Sequence, residues 1–174
     1  MSREVEVVRT YLELRSPEQL RPSSVDATDS SVAFVHRPAI SVDDYRRLYR
    51  AVGYRWYWRD RNAWSDVRLA AHLVRPEIAV WECVVGGESA GYFELERRDD
   101  DSVEIAYFGL SEKFFGRGIG KSMLTRAARA AWALGPSRVW LHTCTLDSPH
   151  ALPNYRARGF EAFRTETYMA TVDD

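Results

Sequence analysis

The chain has 174 residues, of which 45% are hydrophobic, so it is the size of one globular domain that can bury a substantial core. Its 24 Lys and Arg are balanced by 25 Asp and Glu, which argues against a basic, nucleic-acid-binding surface over the whole protein. Two cysteines are too few for a disulfide framework, and no apolar run approaches the ~20 residues that span a bilayer. With no N-terminal targeting pattern, these features predict a cytoplasmic protein that contacts neither membrane nor nucleic acid.

The N-terminal third predicts a strand, a loop, a second strand and two helices. Alternating apolar residues indicate the strands, and Ser41 with Asp44 has the spacing of a capping box at the start of the first helix. Gly53 ends that helix. The predicted ranges are a strand over 5–14, a loop over 16–31, a strand over 32–36, and helices over 42–52 and 65–73.

Between these two helices, residues 54–64 interleave five Tyr and Trp with three Arg. Such a segment can stack bases, cage a cation or cover the core between two helices. Because the chain has no overall excess of positive charge, covering the core is the favoured interpretation. Part of the segment is also a candidate for an aromatic-lined pocket that accepts an amine.

The middle of the chain predicts an antiparallel meander of three strands, with Gly86-Gly87 as its first turn. A helix closed by Gly135-Pro136 and another strand follow. A strand, a helix and a strand of these lengths form a crossover, so the two strands should be parallel. The predicted ranges are strands over 78–85, 89–96 and 102–110, a helix over 119–134 and a strand over 138–144.

The last part predicts a loop and short helix over 146–160 and a final strand over 163–172. Pro153 has no amide to donate, so the short helix is predicted to start there, and Gly159 ends it. No internal repeat or linker interrupts the chain. The elements together predict one α+β domain in which helices flank a mixed sheet.

The stretch FFGRGIGKSML, residues 114–124, places three glycines between a strand and a helix. It misses the nucleotide-binding P-loop because Phe115 stands where the first glycine belongs, and it misses the dinucleotide fingerprint because its third glycine comes one residue early. Two interpretations remain from the residues alone. Either the glycines only make a tight turn, or their amides, with Arg117 and Lys121, hold a diphosphate at the helix N-terminus.

This stretch and a second motif resemble those of the GNAT superfamily of N-acetyltransferases. The family's [Q/R]-x-x-G-x-[G/A] before a helix is similar to residues 115–120, with Phe115 in place of Gln or Arg. Its N-x-x-A-x-x-x-Y-x-x-x-G-F motif is similar to residues 148–160, with Ser148 in place of Asn. The resemblance covers about 78–160.

The resemblance implies a GNAT-like fold of the α+β (α/β) class: a central mixed β-sheet that joins an antiparallel meander to a parallel, splayed strand pair, flanked by helices. It implies acetyl-coenzyme A (acetyl-CoA) as donor, with its arm between the splayed strands, and no metal. The division implied for a single domain over 1–174 is a strand and acceptor-side helices in 1–77, an acetyl-CoA-binding core in 78–160 and a C-terminal strand in 161–174. The residues implied to contact coenzyme A are Phe108, Gly109, Leu110, Gly116, Arg117, Gly118, Ile119, Gly120, Lys121, Ser148 and Asn154.

For the chemistry, the resemblance points to Glu104 as the base that deprotonates the amine. Simple strand alternation places Glu104 on one face with Ala106, Phe108 and Leu110. A carboxylate among apolar neighbours has a raised pKa, which suits a base that works near neutral pH. The alternative is a strand-end glutamate that faces solvent.

Tyr155 stands at the family's tyrosine position, where a phenol protonates the departing sulfur; the alternative is a packing role. Asn154 could contact the coenzyme or cap the turn after Pro153. His142 and Cys144 share a strand face, but two parallel side chains without a supporting motif argue against a metal site or a Cys-His nucleophile. A buried strand face is predicted instead, with His142 a candidate for the acceptor pocket.

The predicted function is therefore transfer of an acetyl group from acetyl-CoA to a primary amine, by direct attack in a ternary complex. The alternative is a coenzyme A-binding sensor or regulatory module of the same fold without activity, which the departures at Phe115 and Ser148 suggest. The motifs leave open whether the acceptor is a small molecule or a peptide, and the family resemblance is compatible with a homodimer.

Overall fold

The computed structural model describes residues 1–23 and 31–173, so residues 24–30 of the predicted loop lie outside the described residues. The strands are β1 (Ser2–Leu14), β2 (Val32–His36), β3 (Ile78–Val85), β4 (Glu88–Arg97), β5 (Ser102–Leu110), β6 (Arg138–Cys144) and β7 (Glu161–Asp173). The helices are α1 (Val42–Gly53), α2 (Asp66–Leu73), α3 (Ile119–Ala133) and α4 (Ala151–Ala157). No helix in these described ranges is long and apolar enough to cross a membrane.

The strands form one seven-stranded sheet in the order β2-β3-β4-β5-β6-β1-β7. β5 and β6 are parallel, and every other neighbouring pair is antiparallel, which confirms the predicted meander and crossover. β1 and β7 pair along almost their full lengths, from Ser2↔Asp173 to Glu13↔Glu161. The two ends of the chain therefore build one edge of the sheet together.

Local signals in the sequence fix several boundaries as predicted. The Ser41 hydroxyl accepts a hydrogen bond from the Asp44 amide at 3.1 Å and caps α1. Ser65, predicted only to lie at the start of the second helix, caps α2 in the same way, from the Arg68 amide at 3.2 Å. Gly86 and Gly87 have φ of +57° and +81°, as a tight two-residue hairpin turn requires.

The sheet separates two apolar clusters. One face, the α1 face, packs against α1 and α2 through residues such as Tyr45, Tyr49, Val52 and Leu69. The other, the α3 face, packs against α3 and α4 and holds the larger cluster. Along β6 the buried residues Val139 and Leu141 point to the α3 face, so His142 points to the α1 face.

Two expectations are wrong. The short helix begins at Ala151 and not at Pro153, because the first amides of a helix have no intrahelical partner and proline fits there. Glu104 does not share a face with Phe108 and Leu110, because β5 has a bulge: Glu94 pairs with Tyr107, but the next residue, Leu95, pairs with Ile105. The extra residue, Ala106, moves Glu104 onto the α1 face.

Candidate active site

The glycine stretch forms the turn that leads into α3. Gly116 and Gly118 have φ of +76° and +74°, a conformation that favours glycine, and Gly118 is the N-cap of the helix. The first amides of α3 have no acceptor within the helix, and the helix dipole adds partial positive charge at this end. Phe115, at the position where the family has Gln or Arg, is exposed, whereas Phe114 is in the core.

β5 and β6 separate a short way along their length. Their parallel pairing is limited to Ser102↔Arg138, Val103↔Val139 and Glu104↔Trp140, so the rest of β5 has an open edge toward β6. Just beyond the end of β5, the Ser111 amide donates to the carbonyl of Ala90 on β4 at 2.8 Å. Because successive amides alternate along a strand, the Leu110 amide, and by the same alternation that of Phe108, faces the open edge.

The structure shows why residue 109 is a glycine, which the sequence alone did not reveal. A Cβ at this position would lie 2.5 Å from Cγ1 of Val52, so α1 could not pack where it does. By the alternation along β5, the Gly109 amide faces β4 and not the open edge. Gly120 differs, since a Cβ there would meet only Leu110 Cδ1, at an ordinary 3.9 Å.

Glu104 is buried under the α1 face and is held by an ion pair. The Arg98 Nε atom donates to its Oε2 at 3.0 Å, and the Nε2 atom of His142 lies 3.7 Å from its Oε1. Burial raises the pKa of Glu104, against the opposing effect of Arg98. Burial and the Arg9 charge lower the pKa of His142, although Asp147 and Asp60 oppose that shift. His142 is therefore neutral near pH 7, and its side chain is 35% exposed against 5% for Glu104.

Next to Glu104, strands β6, β1 and β7 present polar side chains on this face. They are here called the polar wall: His142 of β6, Arg9 and Tyr11 of β1, and Glu166 and Tyr168 of β7. The ring of Tyr11 lies 5.4 Å from that of His142, and its hydroxyl donates to Glu166 at 2.9 Å. Arg9 donates to the Tyr168 hydroxyl at 3.3 Å. Sequence reasoning missed the residues of β1 and β7, because only the strand pairing brings them beside His142.

Tyr155 and Asn154 lie on α4, against the other side of the opening. Tyr155 is buried edge-on to Phe108, with ring centroids 6.1 Å apart, and burial raises the pKa of its phenol, which keeps it protonated. Asn154 Nδ2 donates to the Gly120 carbonyl at 3.2 Å, so α4 is tied to the first turn of α3 and Asn154 does not cap a turn after Pro153. Among the described residues, its buried Oδ1 finds no donor. Ser148 accepts a hydrogen bond from the His150 amide at 3.3 Å.

Part of the aromatic-arginine segment covers the core: Trp58 and Trp64 pack against the α1-face cluster, whereas Tyr54 and Tyr57 are exposed. Arg61 is buried and donates to Glu94 at 2.8 Å, and Tyr45 and His72 contact the same carboxylate. Although burial by itself would raise the pKa of Glu94, these partners hold it below its usual value. Sequence reasoning did not find this buried ion pair, since its members are 33 residues apart.

No cluster of three or more His, Cys, Asp or Glu that could hold a metal is found within residues 1–23 and 31–173. The residues do fit a coenzyme A thioester. The turn at Gly116 and Gly118 presents helical amides, the open edge of β5 offers backbone groups, and Asn154 keeps a buried acceptor without a donor.

Comparison with known proteins gives a consistent result. The profile of the Acetyltransferase (GNAT) family matches residues 43–160. Among solved structures, a GCN5-related N-acetyltransferase from Kribbella flavida is similar with a TM-score of 0.67 and 16% identity, over 95% of this chain and 58% of that one. A GCN5-related N-acetyltransferase from Sphaerobacter thermophilus gives 0.65 and 15%, over 98% and 52%.

A shorter structure, an IAA acetyltransferase from Bacillus cereus, is similar with a TM-score of 0.58 and 24% identity, over 77% of this chain and 79% of that one. No curated protein sequence matches the chain significantly. The chain spans little more than half of the Kribbella and Sphaerobacter proteins, and at these identities the likeness concerns the fold.

Proposed function

Because the chain belongs to the acetyltransferase (GNAT) family, we propose that it transfers an acetyl group from acetyl-CoA to a primary amine that attacks directly in a ternary complex. Family membership supports acyl transfer in general; the acetyl donor and the amine acceptor are the proposal. The observation that carries it is the position of two features side by side: helical amides at the start of α3 and the open edge of β5.

For the donor, the amides from Gly116 to Lys121 would hold the diphosphate, with the side chains of Arg117 and Lys121 nearby. The backbone of 108–110 would run beside the coenzyme arm. Ser148, in the loop before α4, and the Oδ1 of Asn154 on α4, which has no donor among the described residues, would contact it. The Leu110 amide, which faces the open edge, would donate to the acyl oxygen as negative charge develops there.

For the proton transfers, Glu104 and Tyr155 would act on opposite sides of the reacting carbon. As the nitrogen–carbon bond forms and the carbon–sulfur bond breaks, one amine proton leaves toward Glu104 and the Tyr155 hydroxyl supplies a proton to sulfur. Glu104 is buried and held by Arg98, so the amine proton would reach it through the more exposed ring of His142. In this arrangement the more exposed His142 would take the proton first and pass it to the buried carboxylate of Glu104.

The test is coenzyme A binding by calorimetry together with thiol release from acetyl-CoA over a panel of amines. Binding with acceptor-dependent thiol release is the expected result. Binding without release on any amine would favour a coenzyme A sensor, and a folded protein that does not bind coenzyme A would refute the proposal. Glu104→Gln and His142→Gln should each lower kcat/KM by about 10²-fold, the usual scale for loss of a general base.

The unbridged state of Cys83 and Cys144 supports a reducing compartment, and we propose the cytoplasm.

A further inference from the structure

Within residues 1–23 and 31–173, Arg9 is a cation without a counter-ion at the edge of the proposed acceptor site. Its guanidinium donates to the Tyr168 hydroxyl at 3.3 Å and lies over that ring, 5.0 Å from its centroid. Both contacts are made to Tyr168, which carries no charge, and the side chain of Tyr11 also interacts with the guanidinium. Among the described residues no carboxylate forms an ion pair with Arg9, and its buried Nε–H has no acceptor. A partly buried guanidinium that lacks a counter-ion costs free energy, and an anionic ligand bound by its accessible N–H groups would recover part of that cost.

The nearby carboxylates on the α1 face already have partners. Glu166 accepts from Tyr11 at 2.9 Å and forms an ion pair with Arg164, and Glu104 forms one with Arg98. Glu166 lies directly opposite Arg9 in the β1–β7 register, yet it pairs with Arg164 instead. The positive charge of Arg9 is therefore available to an anionic group of a bound ligand.

Arg9 lies close to the proposed reaction centre. The β1–β6 register pairs Arg9 with Cys144 and Tyr11 with His142, so Arg9 is the diagonal neighbour of His142 on one face. In the aromatic-arginine segment, Asp60 starts a short 3-10 turn between Arg59, which binds Asp173 at 2.9 Å, and the buried Arg61. Asp60 makes no ion pair among the described residues, and its charge acts on both His142 and Tyr107.

We propose that the acceptor is a small primary amine that also carries an anionic oxyacid group, and that Arg9 binds this group as the specificity-determining residue. The inference rests on the proposed acyl transfer. The planar guanidinium suits a carboxylate or phosphonate, to which it can donate two parallel hydrogen bonds. His142, the diagonal neighbour of Arg9, would receive the proton from the amine end of the same molecule. An acceptor with positive charges only would place a cation against Arg9, which disfavours polyamines and aminoglycosides.

The experiment compares each of a panel of amino acids with its own amide, in the thiol-release assay, on wild type and on Arg9→Gln. Wild type should prefer the acid over the amide, and Arg9→Gln should reduce that acid-to-amide ratio of kcat/KM by about tenfold or more, with little change for the amides. Dividing the two ratios cancels differences in amine pKa between acid and amide. Aminoalkylphosphonates, run beside the amino acids, distinguish a carboxylate from a phosphonate or phosphate group.

Two variants serve as controls. Arg9→Lys keeps the positive charge but loses the two parallel N–H donors of the guanidinium, and should give an acid-to-amide ratio between those of wild type and Arg9→Gln. Arg47→Gln removes one positive charge from an exposed ion pair with Asp44 on α1, involves neither Arg9 nor Glu166, and should leave the ratio within about twofold of wild type. A direct readout is the NMR signal of the Arg9 side-chain Nε–H, which should shift when the amino acids, but not their amides, are added to the coenzyme A complex.

Equal use of acids and amides by wild type, a preference for polycations, or a ratio that Arg9→Gln leaves unchanged would each overturn this inference while acyl transfer stands. If no amine supports thiol release, the proposed function fails, and the NMR titration still decides whether Arg9 binds an anion.

Discussion

At the scale of single residues, the proposed chemistry depends on which side chains a substrate can reach and which are buried in ion pairs or in the core. Glu104 has the raised pKa expected of a base, but it is buried against Arg98, so His142 is the group that an amine could reach. Tyr155 is the converse case. Its phenol is kept protonated by burial and lies edge-on to Phe108, beside the open edge of β5.

Replacement of Tyr155 by Phe should therefore lower kcat by about 10²-fold, because the departing sulfur loses its proton donor while the ring still fills the same space. Coenzyme A binding measured by calorimetry should change by less than about twofold. Tyr54→Phe is the matched control, since Tyr54 is 90% exposed, and it should leave kcat unchanged. An unaltered kcat in Tyr155→Phe would assign Tyr155 to packing alone.

At the scale of elements, the turn into α3 and the bulge in β5 determine the geometry of the site. The turn aims helical amides at one point, and the bulge moves Glu104 from the α3 face to the α1 face, where the polar wall lies. If Ala106 continued the regular pleat instead of forming a bulge, Glu104 would lie on the side of α3, away from His142. The splayed pair then leaves the far half of β5 open between these two features.

The glycine turn offers a controlled comparison. Gly116 and Gly87 have φ of +76° and +81°, and a Cβ at either one would meet no other atom within 4 Å. Ala at either position should cost about 1–2 kcal/mol of stability, from the backbone strain alone. Only Gly116→Ala should also weaken coenzyme A binding, by about tenfold, because the strained turn displaces the amides that hold the diphosphate. Calorimetry beside urea unfolding measures both quantities, and an equal loss of affinity in Gly87→Ala would contradict the assignment.

At the scale of the whole molecule, the sheet joins parts of the chain that are far apart in sequence. β1 and β7 bring residues from the two ends of the chain beside β6, and Asp173 at the end of β7 contacts Tyr57 and Arg59 in the aromatic segment. On the same face the buried carboxylate of Glu94 links α1, α2 and the aromatic segment through Tyr45, His72 and Arg61. The acceptor side thus depends on one continuous packing arrangement.

Stability should fall in acid for this reason. The pKa of Glu94 is lower in the folded state than its ordinary value, so its contribution is complete above about pH 4.5 and is lost as the pH falls through the folded-state value. The pKa of His142 is also lowered, so its contribution is lost as the pH falls below about 6.5. Glu104, whose pKa is raised, acts in the opposite direction. Urea unfolding at a series of pH values measures the sum.

Glu94→Gln should lower the free energy of unfolding at pH 7 by about 3–5 kcal/mol, because it leaves Arg61 buried without its counter-ion. Below about pH 4.5, the further decrease in the free energy of unfolding should be smaller for Glu94→Gln than for wild type. Glu112→Gln, which breaks an exposed ion pair with Arg55, should cost less than about 1 kcal/mol. Equal costs for the two variants would show that the buried network does not support the fold.

The sequence by itself determined what short-range chemistry decides. Ser41 and Ser65 cap their helices, Gly86-Gly87 makes the hairpin, and the glycine stretch opens α3, because each depends on a few neighbouring residues. The crossover to a parallel β6 followed from the lengths of the elements. Only the tertiary structure decided the bulge that moves Glu104, the Arg61–Glu94 pair and the placement of Arg9 beside His142. Strand register and pairing between distant segments come from packing over the whole sheet, and no local pattern encodes them.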